Sequence, residues 1–235
     1  MITKLVPEIN LHIYRYADVD SEQADSFISY LSAEEHLKYS ALSAQPARQY
    51  LIERGFLRKV LAQCTNTPAE NLEFVKTDSG KPQLAELESD SESMVRFNLS
   101  HCDELFVCAV STCGEIGVDV ESSQRSNQFE KIADHYFSDD EKEFLKQQTE
   151  LFEERFTQAW TIKEAIGKMR GTGVNKTFLR NTTQVHQGKI VPNVAWLAEP
   201  VVTRSFKCDK HFMSFAVSGE AMPAHQVLVS GWSEL

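Results

Sequence analysis

Apolar positions between Pro46 and Gln63 fall at helical spacing, at Tyr50, Leu51, Phe56, Leu57, Val60 and Leu61, which predicts a long helix. Arg54 and Arg58 then share one face, with Arg48 a turn or two earlier. Leu72–Val75 reads as a short strand before the turn Asp78-Ser79-Gly80-Lys81-Pro82, and the acidic stretch Glu86–Ser93 reads as an exposed loop. Three strands follow, at Val95–Leu99, Leu105–Ser111 and Ile116–Glu121, and the short polar turns between them predict an antiparallel meander. Ser138-Asp139-Asp140-Glu141 forms a capping box that opens a helix through about Gln148. A second helix runs from about Leu151 to Met169 and stops at Gly171-Thr172-Gly173. Beyond it, apolar runs such as Phe212–Val217 and Val227–Val229 alternate with polar turns and predict strands.

The run Phe106-Val107-Cys108-Ala109-Val110-Ser111 is echoed by Met213-Ser214-Phe215-Ala216-Val217-Ser218, and each half pairs a charged helix with strands. A duplication of this kind predicts an α+β chain of two similar halves. They would meet near residues 112–118 with a cleft between them, the first half being residues 1–115 and the second 116–235.

Composition narrows the function. A chain of 235 residues that is 42% hydrophobic can bury a full core. The N-terminal segment has no basic stretch followed by an apolar run, and eighteen uncharged apolar residues never occur together, which argues against a signal peptide and a membrane span. Five cysteines without a CxxC pair read as reduced thiols in a cytoplasmic protein, with Cys108 a small buried hydrophobe. The net charge of −10 argues against a nucleic-acid groove, so an anionic ligand must be gripped locally. Lys38, Arg48, Arg54, Arg58 and Lys59 concentrate positive charge in the first half, either as such a grip or as a solvated helix face.

Two segments carry candidate chemistry. In Gly117-Val118-Asp119-Val120-Glu121 the strand period puts Asp119 and Glu121 on one face, where they form either a wet strand end or a site that wants a cation between them. Magnesium suits the second reading, because it takes few carboxylates and completes its shell with water and phosphate oxygens. In Trp160-Thr161-Ile162-Lys163-Glu164-Ala165-Ile166-Gly167-Lys168, the residues Trp160, Glu164 and Lys168 share a helix face among apolar neighbours. A carboxylate and an ammonium held there beside a metal strand would serve phosphoryl transfer.

These two segments, in this order, resemble the signature motifs of the 4′-phosphopantetheinyl transferases, in the larger type that activates surfactin synthetase. The resemblance extends to Gly80-Lys81-Pro82, to Phe97-Asn98-Leu99-Ser100-His101, to the Phe137-Ser138-x-x-Glu141 element, and to Lys38 and Arg48, covering roughly residues 30–175. It implies a pseudo-dimeric α+β fold with coenzyme A in the cleft between halves. It further implies Asp119, Glu121 and Glu164 as magnesium ligands and Lys168 on the coenzyme A phosphates. Arg48 and Lys38 would bind the 3′-phosphate, with Lys81, Pro82, Asn98, Ser100 and His101 at the adenine-nucleotide end. Asp119, Glu164 and Lys168 would carry catalysis, Glu141 lying behind them at best, and Arg54 and Arg58 would be scaffold or secondary phosphate contacts.

The implied reaction moves phosphopantetheine from coenzyme A to a serine of an apo acyl or peptidyl carrier protein. The segment Glu121–Phe137, with Phe129, Ile132, Tyr136, Arg125 and Lys131, is the expected carrier landing surface, and a chain that holds both halves of its site is expected to be a monomer. Two other readings are a magnesium phosphotransferase or hydrolase, for which there is no Walker loop, and a catalytically silent relative that binds coenzyme A or the carrier.

Overall fold

The computed structural model describes residues 8–85, 95–124, 128–147 and 149–219 together with the backbone of 227–230. In chain order the elements are β1 (Ile9–Arg15), α1 (Ser21–Ser26), α2 (Ala33–Ala41), α3 (Ala44–Thr65), β2 (Phe74–Lys76), β3 (Pro82–Leu84), β4 (Arg96–His101), β5 (Leu105–Ser111) and β6 (Ile116–Ser122). They continue with α4 (Phe129–Tyr136), α5 (Asp139–Lys146), α6 (Phe152–Arg170), α7 (Lys176–Asn181), β7 (Thr183–His186), β8 (Lys189–Pro192), α8 (Val194–Leu197), β9 (Val201–Cys208), β10 (His211–Ser218) and β11 (Val227–Ser230). The expected loop at Glu86–Ser93 and the expected docking base Arg125 lie outside the described residues.

Two sheets dominate, one ordered β11-β1-β5-β4 and the other β6-β10-β9. Within them β1-β5-β4 and β6-β10-β9 are each antiparallel, while β11 adds to β1 in parallel. A long helix joins the first strand to the next in each set, α3 between β1 and β4 and α6 between β6 and β9. The echoed runs at 106–111 and 213–218 therefore lie in β5 and β10, the central strands of equivalent three-stranded units.

The expected three-strand meander is corrected: β4 and β5 pair, but β6 leaves for the other sheet after the turn at residues 112–115. Burial explains the break. Every residue of β5 is buried, which requires cover on both of its faces. Phe106, Cys108 and Val110 pack into the core beneath α3, whereas Leu105, Val107 and Ala109 pack against Val118, Val120, Met213 and Phe215 of the second sheet. On the far side of that sheet, Ala216 and Val201 meet Ile162, Ala165, Ile166 and Met169 of α6.

α3 and α6 both end on a left-handed residue, Asn66 and Gly171. Arg54 and Arg58, two of the five residues of the basic cluster, hold the scaffold: both pair with Glu35, and Arg58 also donates to the carbonyls of Ala69 and Leu72 at 2.7 and 3.0 Å. Glu35 also completes the capping box of α2 with Ser32, so one buried carboxylate ties three segments together. Cys108 is fully buried, as expected. Among the described residues, no helix is long and apolar enough to cross a membrane.

Candidate active site

The site forms where the two sheets meet edge to edge. The side chains of β4 stand in for a β-ladder there: Asn98 Oδ1 accepts from the Val118 N–H at 3.0 Å, and Ser100 Oγ accepts from the Val120 N–H at 3.3 Å. Alternation along β6 sends Val118 and Val120 into the core between the sheets, leaving Gly117, Asp119 and Glu121 on the face toward α6. Gly117 allows that helix to approach, since a Cβ there would stand 2.0 Å from the Ala165 carbonyl oxygen and 2.3 Å from the Met169 nitrogen. The close packing brings Glu164 and Lys168 to the acidic strand.

Asp119 is 3% exposed. Its Oδ1 accepts from Ser100 Oγ at 2.9 Å and from Lys168 Nζ at 2.7 Å, while Oδ2 is buried with no hydrogen-bond partner among the described residues. Burial, and then the charge of Asp119, push the Glu164 carboxyl up to about 7; Glu121 adds to the rise and Lys168 opposes it. Three carboxylates thus influence one another around one ammonium.

Among the described residues, no three potential ligands are already grouped to hold a metal ion. The chemistry of the donors nevertheless fits a hard divalent cation, because an orphaned carboxylate oxygen and a carboxyl held above its ordinary range are both relieved by one. Lys168, expected on a phosphate, here supplies that positive charge itself.

The residues expected at the nucleotide end divide into two groups. Lys81 Nζ donates to Glu115 Oε2 at 2.8 Å and to the carbonyls of Met169 and Ile116 at 3.0 and 3.1 Å, so its three donors are engaged within the protein. Lys81 thereby fastens the β2–β3 turn to the last turn of α6, where a cation complements the exposed carbonyls. Arg48 likewise donates to the carbonyls of Tyr16 and Val19. Asn98 and Ser100 are buried in the seam. By contrast Lys38 is exposed, its ammonium 4.7 Å from the Tyr50 ring centroid, and the His101 side chain is 64% exposed with Nδ1 3.7 Å from Glu53. Pro82 opens β3 and is half-buried.

Glu141 forms the capping box expected of it and takes a further partner on α6. It is fully buried, closes the α5 capping box, accepts from Thr183 Oγ1, and pairs with Lys163 Nζ at 2.9 Å. Lys163 is also fully buried and donates to the Leu179 carbonyl at 2.7 Å over the Phe137 ring. The capping box accounted for Glu141 so well in sequence that its second partner went unread. Phe129 is corrected as a carrier contact: it is 9% exposed and stacks on Phe156 at 4.7 Å, leaving half-buried Ile132 and Tyr136 as the apolar surface of that segment.

Fold and site together define an α+β protein whose acidic strand and lysine-bearing helix are suited to handling a phosphate ester. Residues 19–113 match the family described as 4′-phosphopantetheinyl transferase, N-terminal, and residues 115–217 match the 4′-phosphopantetheinyl transferase superfamily. The chain is similar to the 4′-phosphopantetheinyl transferase gsp of Aneurinibacillus migulanus, 29% identical over 220 residues, 88% of this chain and 83% of that one. It is also similar to the 4′-phosphopantetheinyl transferase HetI of Nostoc sp., 29% identical over 178 residues, 74% of this chain and 73% of that one. A third relative, the 4′-phosphopantetheinyl transferase psf-1 of Bacillus pumilus, is 26% identical over 183 residues, 77% of this chain and 75% of that one. The chain belongs to the 4′-phosphopantetheinyl transferase superfamily, among the larger surfactin-synthetase-activating type.

Proposed function

We infer that this protein transfers the 4′-phosphopantetheine group of coenzyme A to a serine of an apo acyl or peptidyl carrier protein, releasing 3′,5′-ADP. The observation that carries the reading, beside membership of the family, is the buried and unpartnered Oδ2 of Asp119 beside a Glu164 carboxyl whose affinity for protons is raised. Coenzyme A lies between the two similar halves, residues 1–115 and 116–235, in a pseudo-dimeric arrangement supported by their repeated strand order.

Asp119, Glu121 and Glu164 would hold magnesium, which supplies positive charge against the pyrophosphate. Glu164, directly or through a water, takes the proton of the carrier serine. The serine oxygen then bonds to the β-phosphorus as the bond to the bridging oxygen of the pyrophosphate breaks, and the electron pair leaves with 3′,5′-ADP. Lys168 releases Asp119 and moves its ammonium to the oxygens that gain charge. His101 and Lys38, the exposed basic side chains of the nucleotide-end set, are the ones available to a 3′-phosphate. Ile132, Tyr136 and the exposed Lys131 offer the carrier a small apolar contact with a local base, which suits a chain too acidic to steer an acidic partner at long range. Five free cysteines are in keeping with action in the cytoplasm, and one chain is expected to suffice.

The test is incubation with coenzyme A, magnesium and a panel of apo carriers, read by the mass of the carrier. A gain of one phosphopantetheine that chelation prevents is expected. The reading fails if no carrier gains mass, or if the gain survives chelation. The silent-relative reading has no observation in its favour, since Asp119, Glu121, Glu164 and Lys168 are all in place.

A further inference from the structure

The packing of α6 on the second sheet is largely apolar, with Ile162, Ala165, Ile166 and Met169 of the helix against Val201 and Ala216 of the strands. Apolar contact is non-directional, so it holds a helix to a sheet without fixing how far the helix is turned about its axis. The small residues Gly117 and Ala216, paired across β6 and β10, offer no long side chain to stop such a turn. A polar contact interrupts this surface: Thr161 Oγ1 of α6 and Ser214 Oγ of β10 lie 2.7 Å apart, and both residues are fully buried.

The direction of the bond follows from its neighbours. Thr161 Oγ1 donates to the Gln158 carbonyl at 2.9 Å, which occupies its one hydrogen. Ser214 therefore donates to Thr161, and Ser205 of β9 donates to Ser214 at 2.8 Å. A chain of hydroxyls thus runs from β9 through β10 into α6. Ser214 is also the cross-strand partner of Asp119, a placement that sets their Cβ atoms about 5 Å apart on the face toward the helix. Thr161 precedes Glu164 by three residues and Lys168 by seven, about 4.5 and 10.5 Å along the helix and about 60° and 20° around it. Over so short a span the helix turns as one body, so fixing Thr161 over Ser214 also fixes Glu164 and Lys168 beside Asp119.

We propose that Thr161 and Ser214 are positioning residues, whose buried hydrogen bond sets the rotation of α6 on the sheet and thereby aligns Glu164 and Lys168 with Asp119. Neither hydroxyl contacts a substrate. The proposal rests on the transferase reading above for its consequence in turnover, and on geometry alone for its consequence in cation binding.

The experiment compares the wild-type chain with Thr161→Val, Thr161→Ser, Ser214→Ala and the double variant Thr161→Val/Ser214→Ala. Three quantities are measured: the urea unfolding midpoint, Mn²⁺ binding without coenzyme A by electron paramagnetic resonance, and steady-state transfer to an apo carrier. Thr161→Val leaves the Ser214 hydrogen stranded in the interface and should lower the midpoint; adding Ser214→Ala removes the stranded group and should restore it. Alignment is not restored with stability. The double variant should therefore bind Mn²⁺ about ten-fold more weakly and lose about ten-fold in kcat, the lower end of what groups behind a metal site contribute. KM for coenzyme A should stay unchanged, and Thr161→Ser, which keeps the hydroxyl, should behave as wild type. A double variant with wild-type kcat and Mn²⁺ affinity overturns the proposal, because the bond then serves stability alone. A rise in KM for coenzyme A at unchanged kcat also overturns it, in favour of a substrate contact. Should Thr161→Val not fold, the double variant, which strands no group, carries the comparison. A wild-type protein that modifies no carrier, yet binds Mn²⁺ more weakly once both hydroxyls are removed, sinks the transferase reading and upholds the role of Thr161 and Ser214.

Discussion

Lys168 Nζ lies 2.7 Å from Asp119 Oδ1, so the protein neutralises its own acidic strand with a side chain from the facing helix. A charge in that place competes with any divalent cation for the carboxylate. Lys168→Met should therefore tighten Mn²⁺ binding by about ten-fold, which corresponds to about 1.4 kcal/mol for one neighbouring charge. Carrier modification should fall sharply in the same variant. The binding is measured at pH 8, above the range in which Glu164 is protonated. Weaker Mn²⁺ binding would show that Lys168 organises the site instead of holding the place of a cation.

Glu164 makes the stability of the metal-free protein depend on pH in an unusual direction. Its carboxyl is pushed from 4.5 up to about 7, first by burial and then by Asp119, so between these values the folded state holds more of the proton than the unfolded state does. Stability then falls as pH rises from about 4.5 to 7. With a chelator present, the melting temperature should decline across this window, and Glu164→Gln should flatten the decline. Adding Mn²⁺ should reverse it near pH 7, because the cation favours the ionised carboxylates. A melting temperature that rises through the window in wild type and variant alike would remove Glu164 as its source.

The acidic strand and the lysine-bearing helix α6 were legible in sequence because period-two and period-3.6 patterns state which side chains share a face. Asp119 and Glu121 on β6, and Glu164 and Lys168 on α6, follow from those periods without knowledge of the sheet. The repeated topology left a trace as well, in the echo between β5 and β10. The departure of β6 for the other sheet was illegible, since a four-residue polar turn serves a hairpin as readily as a crossing between sheets. Only the total burial of β5 decides it. The protein partners of Lys81 and Arg48 were illegible for a related reason. A basic side chain carries the same charge whether it faces a phosphate or a protein carbonyl, and the partners of Lys81 at Glu115, Ile116 and Met169 are separated from it by 34 to 88 positions.

Gly117 sets the spacing between the acidic strand and α6. Its missing Cβ leaves room for the backbone of Ala165 and Met169, and a methyl group placed 2.0 Å from a carbonyl oxygen forces the helix outward. Gly117→Ala should destabilise the fold by about 3 kcal/mol, the upper part of the range for overpacking. Transfer should fall further than the folded fraction does, because Glu164 and Lys168 move with the helix. Urea unfolding and turnover per folded molecule check this separately. Turnover that tracks the folded fraction would mean that α6 shifts without disturbing the site.

The Lys163–Glu141 pair joins α6 to α5 through two fully buried charges, with the Leu179 carbonyl and Thr183 completing their bonds. Burial brings the Lys163 ammonium down to about 8 against the raising effect of Glu141. Lys163→Met keeps the length of the side chain and strands Glu141 without its cation, an arrangement that costs about 3–5 kcal/mol. Pairing it with Glu141→Gln removes the stranded charge and should recover part of that loss, so the two changes together should cost less than the sum of each alone. Chemical unfolding of the four proteins measures the coupling. Turnover per folded molecule should change little in the double variant, because the partners of Lys163 are Glu141, the Leu179 carbonyl and the Phe137 ring behind α6. A double variant that is stable but inactive would instead place the Lys163 ammonium in the chemistry.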